Sequence, residues 1–192
     1  MKVRTRAPLA IATLAFLALS ACDSATESFI APEGSVTFSF AGDDTGAYDA
    51  TGGFDRQRPG SSAFAVGSRG FLQNGTEAMI VLSHVPRAND ANVADEFLLT
   101  LENPAVGTVT CAADAENCSF SATFFIGATR TGATDVIYTS VSGTVSITSL
   151  NEDRVRGTFT LEMESVVEEG ETPRTTAITN GTFDVPLVAN LG

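Results

Sequence analysis

The 192-residue sequence has no tryptophan, one histidine and three cysteines, and each scarcity excludes a class of function. Because His84 is the only imidazole, a metal site built from several histidines cannot form within one chain. No lysine follows Lys2, which excludes both a phosphate-binding P-loop and a Schiff-base enzyme. The lack of tryptophan, with only two tyrosines, also argues against a cleft that stacks sugar rings.

Negative charge dominates the chain after its first residues. Lys2, Arg4 and Arg6 precede any carboxylate, whereas from residue 22 onward eight arginines face 23 acids, a balance of −15. Nucleic-acid binding needs a cationic surface, because phosphate neutralisation supplies much of the affinity. We therefore expect no nucleic-acid partner and no attraction between this surface and anionic lipids.

Residues 1–21 are typical of a secretory signal peptide. The cationic start is followed by an eleven-residue apolar run over 9–19, and then by the small residues Ser20 and Ala21. A helix that spans a bilayer needs about 20 apolar residues, so this run is too short to be one. The sequence predicts a signal-peptide helix that is cleaved from the mature protein.

Leu19-Ser20-Ala21-Cys22 resembles the lipobox of bacterial lipoproteins. The resemblance implies cleavage before Cys22, a diacylglycerol on its sulfur and usually an acyl chain such as palmitate on the new amino group. It also implies anchorage of the protein in a membrane of the cell envelope, facing the periplasm or the cell surface. The partner of Cys22 is then the lipid bilayer. The alternative is a secreted protein cut after Ala21, in which three cysteines leave one unpaired.

The chain after the signal divides into a short polar tether, 22–34, and one domain, 35–192. Apolar residues in the domain recur at every second position, as in Val36, Phe38 and Phe40, which is the period of a strand with one buried face. Turn residues separate these runs. The pattern predicts ten strands near 35–41, 46–54, 62–72, 77–84, 95–102, 106–112, 117–127, 135–149, 154–167 and 174–188. A short helical turn is expected over 88–96.

Ten strands in one open sheet would expose edges and an apolar face, so closure is expected. We predict an all-β fold, a single antiparallel β-sandwich or flattened barrel. Gly143, Gly157 and Gly181 lie within its last three strands, where each indicates a bulge or a close approach of another backbone.

Three segments, Gly143–Leu150, Val155–Leu161 and Ile178–Val185, resemble the C-terminal half of certain uncharacterised bacterial lipoproteins. In those domains the patterns G-x-[VL]-x-I-T, [IV]-x-G-T-F-x-[FL] and [IV]-T-x-G-x-F-x-[VI] follow one another in the same order. The resemblance implies an all-β lipoprotein and carries no catalytic residue to this chain.

Cys111 and Cys118 enclose six residues between two predicted strands. In an oxidising compartment this spacing favours a disulfide across a hairpin loop. The alternatives are two buried thiols or a metal site, for which the further Cys or His ligands are missing.

Acidic residues near the first predicted turn offer weak calcium candidates, Asp43, Asp44 and Asp49, among glycines. Their spacing does not match an EF-hand, and a polar turn between two strands explains it as well. The sequence therefore predicts no metal and no cofactor.

Motifs of hydrolases are lacking, and Ser83 and His84, adjacent on a strand, point to opposite faces and form no dyad. We expect His84 at a strand end or on the surface. We predict a non-enzymatic lipoprotein with a binding or structural role, whose protein or small-molecule partner is left open. The alternatives are a barrel that carries a small molecule or lipid, and a hydrolase with two convergent carboxylates.

Overall fold

The computed structural model describes residues 32–55, 62–71, 75–113, 115, 118–129, 131–168 and 170–188, with only the backbone of Ala91. The predicted signal helix at 1–21 lies outside these residues. Ten strands and no helix occur in the described part of the chain, which confirms the all-β prediction. They are β1 (Gly34–Gly42), β2 (Gly46–Gly52), β3 (Phe64–Phe71), β4 (Glu77–Arg87), β5 (Asp90–Glu102), β6 (Gly107–Cys111), β7 (Phe120–Thr129), β8 (Val136–Leu150), β9 (Arg154–Ser165) and β10 (Thr175–Val188).

The period of two in the sequence becomes a two-faced strand in the structure. In β9, Val155, Phe159 and Met163 are buried, while Arg156 and Thr160 between them are exposed. Branched and aromatic side chains pack well on such a pleated, half-buried surface. The same pattern gives β1, β2 and β10 a buried face as well.

Seven strands close into a barrel in the order β10-β9-β8-β7-β5-β4-β3, and β1, β2 and β6 bond outside it. The predicted flattened barrel is confirmed, with one correction to its antiparallel pairing. β3 meets β10 in parallel, through Leu187 opposite Gly67 and Val188 opposite Ser68. This short contact closes the barrel.

Two long strands, β8 and β10, each pair along one edge with two different strands. β10 bonds β1 over 176–184 and β3 at 187–188, while β8 bonds β7 over 136–139 and β6 over 143–147. The pairing thereby separates into a six-stranded layer, β2-β1-β10-β9-β8-β6, and a four-stranded layer, β3-β4-β5-β7. The two layers are joined by backbone pairing where these edges change partner, through β3 with β10 and β7 with β8.

Aromatic rings from both layers fill the space between them. Phe159 of β9 stacks on Phe97 of β5 with ring centres 5.1 Å apart, and Phe38 of β1 meets Phe124 of β7 at 5.2 Å. Offset and edge-to-face contacts of this kind add to the free energy gained by burying the rings. A smaller cluster lies apart from this core: Phe54, Phe64, Val66 and Val188.

Two of the strand glycines are each covered by a phenylalanine of the neighbouring strand. Gly157 of β9 lies opposite Phe183 of β10, and Gly181 of β10 lies opposite Phe159 of β9. A Cβ at Gly181 would lie 2.6 Å from the Phe159 ring, and one at Gly157 would overlap the Phe183 ring. The predicted close approach is therefore confirmed at both positions, and the register shift before Gly181 is a bulge.

The helical turn expected over 88–96 is wrong. β4 ends at Arg87, two turn residues follow, and β5 begins at Asp90. The Asp90 carboxylate accepts a hydrogen bond from the Asn92 amide at 2.9 Å, which fixes a tight hairpin turn. Beyond it, pairing with β4 and β7 outweighs the weak helical pattern.

Candidate functional site

The proposed lipid site, Cys22, lies outside the described residues, which begin at Pro32. From there the chain enters β1 beside the start of β9, where the Arg154 guanidinium donates a hydrogen bond to the Glu33 carbonyl at 3.0 Å. Gly34 packs against Ala65 and Pro186. The described chain is thus held to the barrel from its first residues onward.

The barrel end where the tether enters carries the ends of several strands. We call it the tether end and define it by residues 32–34, Phe71, 102–107 and 150–154. Phe71 pairs with Glu77, whose carbonyl accepts a hydrogen bond from the Asn103 amide at 2.8 Å, so that β3, β4 and β5 finish side by side. Asp153 at the same end accepts a hydrogen bond from the Leu187 amide at 2.7 Å.

An arginine–aspartate cluster holds β9 to β10 near the tether. Asp184 accepts hydrogen bonds from the Nε of Arg154 and, at 2.9 Å, from the Nε of Arg156. Partial burial alone would raise the pKa of the Asp184 carboxyl, but the hydrogen bonds and charges of the two arginines outweigh it and lower the pKa. Asp184 therefore stays ionised and keeps the two strands together where the tether joins them.

Cys111 and Cys118 are joined as a disulfide, with Cα atoms 5.5 Å apart, which confirms the predicted pair. The expected hairpin is wrong, because β6 bonds β8 and not β7. The disulfide instead ties the end of β6 to the start of β7, beside the point where β8 changes partner. It thereby links β6, which lies outside the barrel, to the strand that follows it in the chain.

The weak calcium candidates have other hydrogen-bond partners. Asp43 accepts a hydrogen bond from the Thr175 amide at 2.6 Å, and Asp49 accepts one from the Thr51 hydroxyl at 2.7 Å. Asp44 accepts bonds from the Tyr138 hydroxyl at 2.5 Å and from Arg174 at 2.6 Å. No group of three or more metal-ligating side chains converges within the described ranges. Asp43 and Asp44 hold the β1–β2 turn against the start of β10.

Asp44 also acts on the core through Tyr138. Burial raises the pKa of the Tyr138 hydroxyl, and the hydrogen bond to the Asp44 carboxylate raises it further. The phenol is therefore a permanent donor at neutral pH, which makes this contact a stable link between the turn and β8.

Ser83 and His84 point to opposite faces of β4, as predicted. Ser83 is fully buried inside the barrel, where its hydroxyl accepts a hydrogen bond from the Tyr48 hydroxyl at 3.0 Å and donates to the Phe97 carbonyl at 3.3 Å. Burial raises the pKa of Tyr48, and the carboxylates of Glu96 and Asp95 add to this. Ser83 is thus fully committed to a structural network.

His84 is neither at a strand end nor on the surface, so that expectation is wrong. Its side chain is 12% exposed, stacks on Phe64 with ring centres 5.4 Å apart, and bonds the Glu96 carboxylate through Nδ1 at 3.0 Å. The apolar cluster around Phe64 covers this face of β3 and β4. Within the described residues the buried Nε2 has no hydrogen-bond partner.

A carboxylate and an imidazole in contact can transfer protons when a substrate can reach them. The side chains of His84 and Glu96 are 12% and 11% exposed, and the Ser83 hydroxyl lies on the other face of β4. Two hollows lie elsewhere, one of about 20 Å³ beside Leu101 and one of about 100 Å³ between Phe71 and Ile80. Both are below the size of a typical small-molecule site.

Of the three arginines Arg56, Arg58 and Arg69, the first two lie outside the described residues. Arg69 forms an ion pair with Glu77 at 2.6 Å. In the part of the chain that the structure describes, no helix has the length and hydropathy needed to cross a bilayer.

Sequence reasoning missed Glu96 and Asp184. The one signal for Glu96 is an acid next to Phe97 in a strongly apolar strand, and only the register of β4 and β5 places it beside His84.

Comparisons with known protein families, with curated protein sequences and with solved structures find no match to this chain. The resemblance to bacterial lipoproteins therefore stays a prediction.

Proposed function

We propose that the chain is a bacterial envelope lipoprotein whose acidic β domain is held at a membrane surface by acylated Cys22. The observation that carries the proposal is Leu19-Ser20-Ala21-Cys22 at the end of an eleven-residue apolar run that follows a cationic start. The position of the cysteine is as informative as the motif, because processing must occur at the end of such a run.

The cysteine pairing supports this proposal. Cys111 and Cys118 are bonded to each other, so Cys22 is the one cysteine outside the disulfide. An unpaired thiol in an oxidising compartment reacts with other thiols. Acylation of the Cys22 sulfur removes that reactivity and gives the third cysteine a role.

The charge of the domain also fits a lipid anchor. With −15 from residue 22 onward, the surface is repelled by anionic headgroups. Attachment must then come from acyl chains, each contributing about 0.8 kcal/mol per buried CH₂. Two or more chains make such an anchor effectively permanent.

We propose a binding or structural role for the domain rather than catalysis. The rings between the layers fill the interior where a carrier barrel would hold its ligand, which weighs against the small-molecule or lipid carrier. Glu96, the most buried acid among the described residues, is 9% exposed as a whole residue and bonded to His84, which weighs against a hydrolase. The protein or small molecule that the domain binds stays open.

The lipid anchor is tested by replacing Cys22 with Ser in the full chain. We expect the wild type to yield a mature N-terminus at Cys22 that carries acyl chains in mass spectrometry, and the variant to accumulate as an unlipidated precursor. The double variant Cys111→Ser/Cys118→Ser is the matched control, because it removes two cysteines and keeps the anchor. An unmodified mature N-terminus at any other residue would refute the proposal.

A further inference from the structure

The most exposed large apolar side chains of the described surface lie at the tether end. The Phe71 side chain is 79% exposed and Val106 is 63% exposed, whereas the largest such value at the opposite end is 45%, for Val166. Ile80 borders Phe71 across a shallow hollow and is 36% exposed. A phenylalanine exposed to this degree on a strand is unexplained by the packing of the barrel.

The described start of the tether, Pro32 and Glu33, lies on the Phe71 side of Gly34. Gly34 lies against Ala65, and Phe71 lies six residues further along β3, about 20 Å at the rise of a strand. β1 runs away from this end, since Ser35 pairs with Asp184 near the end of β10 and Gly42 pairs with Thr176 near its start. Glu33 and Pro32 therefore lie between the level of Gly34 and the level of Phe71.

The length of the tether limits how far this end can be from the lipid. Cys22 and Pro32 are ten residues apart, which spans at most about 35 Å when fully extended. Glu33 and Pro32, if extended, cover about 7 Å of the roughly 20 Å between Gly34 and the level of Phe71, which leaves about 13 Å along the strand direction. Less than the full tether is thus enough to let Phe71 reach the bilayer surface.

We propose that the tether end is the membrane-contacting face of the domain, with Phe71 and Val106 inserted in the lipid interface. This inference rests on the lipid anchor of the proposed function. The bilayer is the occupant because the anchor holds this end within about 35 Å of it. At such confinement one aromatic side chain is sufficient, since burying it shifts an equilibrium by roughly 10- to 150-fold.

The charges of the tether end specify the kind of bilayer. Acids outnumber arginines at the tether end and beside it, so contact with anionic headgroups is unfavourable and a zwitterionic surface is preferred. The acids are Glu33, Glu77, Glu102, Glu152, Asp153 and Asp184, and the arginines are Arg69, Arg154 and Arg156.

The test uses the mature chain from residue 22 onward, which contains every described strand. Its only free thiol is Cys22, because the other two cysteines are paired, so it can be coupled to a maleimide lipid in phosphatidylcholine vesicles. The chain has no tryptophan, so Phe71→Trp places a unique fluorophore at the tether end. Val166→Trp is the matched control at the opposite end.

Brominated phosphatidylcholine should quench the indole fluorescence of the coupled Phe71→Trp protein at least threefold more than that of the coupled Val166→Trp protein. The uncoupled Phe71→Trp protein should show no quenching, because one side chain does not offset the entropy of association. Adding 30% anionic phosphatidylglycerol to the vesicles should reduce the quenching at position 71. Equal quenching at both positions, or none at position 71, would overturn the inference.

Chemical coupling separates this inference from the proposed function. Vesicle attachment in the test does not depend on lipidation in cells, so the orientation can fail while mass spectrometry finds an acylated Cys22. Conversely, an unmodified Cys22 in cells removes the lipoprotein proposal whatever the quenching shows.

Discussion

Replacing Gly181 with Ala should destabilise the domain although it adds a single methyl group. The new Cβ would lie 2.6 Å from two carbons of the Phe159 ring and from the Phe159 carbonyl oxygen. The ring cannot move away, because Phe159 is 2% exposed and packs on Phe97 and Phe38. The strain must be taken up by the core or by the β9–β10 pairing.

The size of the effect follows from known costs of overpacking. Inserting a methylene or methyl group into a filled core lowers the free energy of unfolding by about 1–3 kcal/mol. For a domain of this size, about 2 kcal/mol lowers the Tm by about 4–8 °C. Circular dichroism melts of the mature chain, with urea titrations at 25 °C, measure both quantities.

Gly70→Ala is the matched control. Gly70 is exposed on β3 and no heavy atom lies within 4 Å of an added Cβ, so we expect a change within about 0.5 kcal/mol. Phe159→Leu combined with Gly181→Ala should destabilise less than the sum of the two single changes, by about 0.5–1 kcal/mol. If Gly181→Ala is as stable as wild type, or if the two changes are additive, the proposed ring contact is wrong.

Three further predictions concern the disulfide, the stability of the domain at low pH and the surface charge. Peptide mapping without reduction should link the Cys111 and Cys118 peptides and exclude Cys22, and reduction should destabilise the domain by about 2–3 kcal/mol; Cys22 in that bond would contradict the anchor as well. Although burial alone would raise the pKa of Asp184, Arg154 and Arg156 hold that pKa below its ordinary value. Its stabilising contribution is therefore complete above about pH 5 and lost as the pH falls through the lowered pKa, so Asp184→Asn should flatten the pH dependence of stability below about pH 4. The mature chain with Cys22→Ala should stay soluble, ignore anionic vesicles and DNA, and melt at a higher temperature as NaCl rises, because salt screens repulsion over about 10 Å at 0.1 M; tight binding at low salt would contradict this.

The ten strands could be predicted because the period of two is a local signal. Each of the ten predicted segments overlaps one observed strand, and in β9 even the buried positions, such as Phe159 and Met163, follow the alternation. The order of pairing could not be predicted. Which strand lies beside β8 or β10, and where an edge changes partner, depends on contacts between residues far apart in the chain.

The candidate site shows the same division between local and distant information. The pairing of Cys111 with Cys118 follows from their spacing, whereas the bonding of β6 to β8 and not to β7 does not. A lone polar residue on a strand is usually exposed, which is why the sequence favours a surface position for His84. Its burial results from Phe64 on one neighbouring strand and Glu96 on the other, which only the register brings together.

β10 sets the order in which this domain can be completed. It is the last strand along the described chain, and it bonds β9 and β1 as well as the end of β3. Without it, β1 pairs only with β2, and the barrel has no closing contact. Closure of the barrel must therefore wait until β10 is available, and pairings this distant in sequence form slowly. For the exported chain proposed above, this domain stays incomplete until β10 has crossed the membrane.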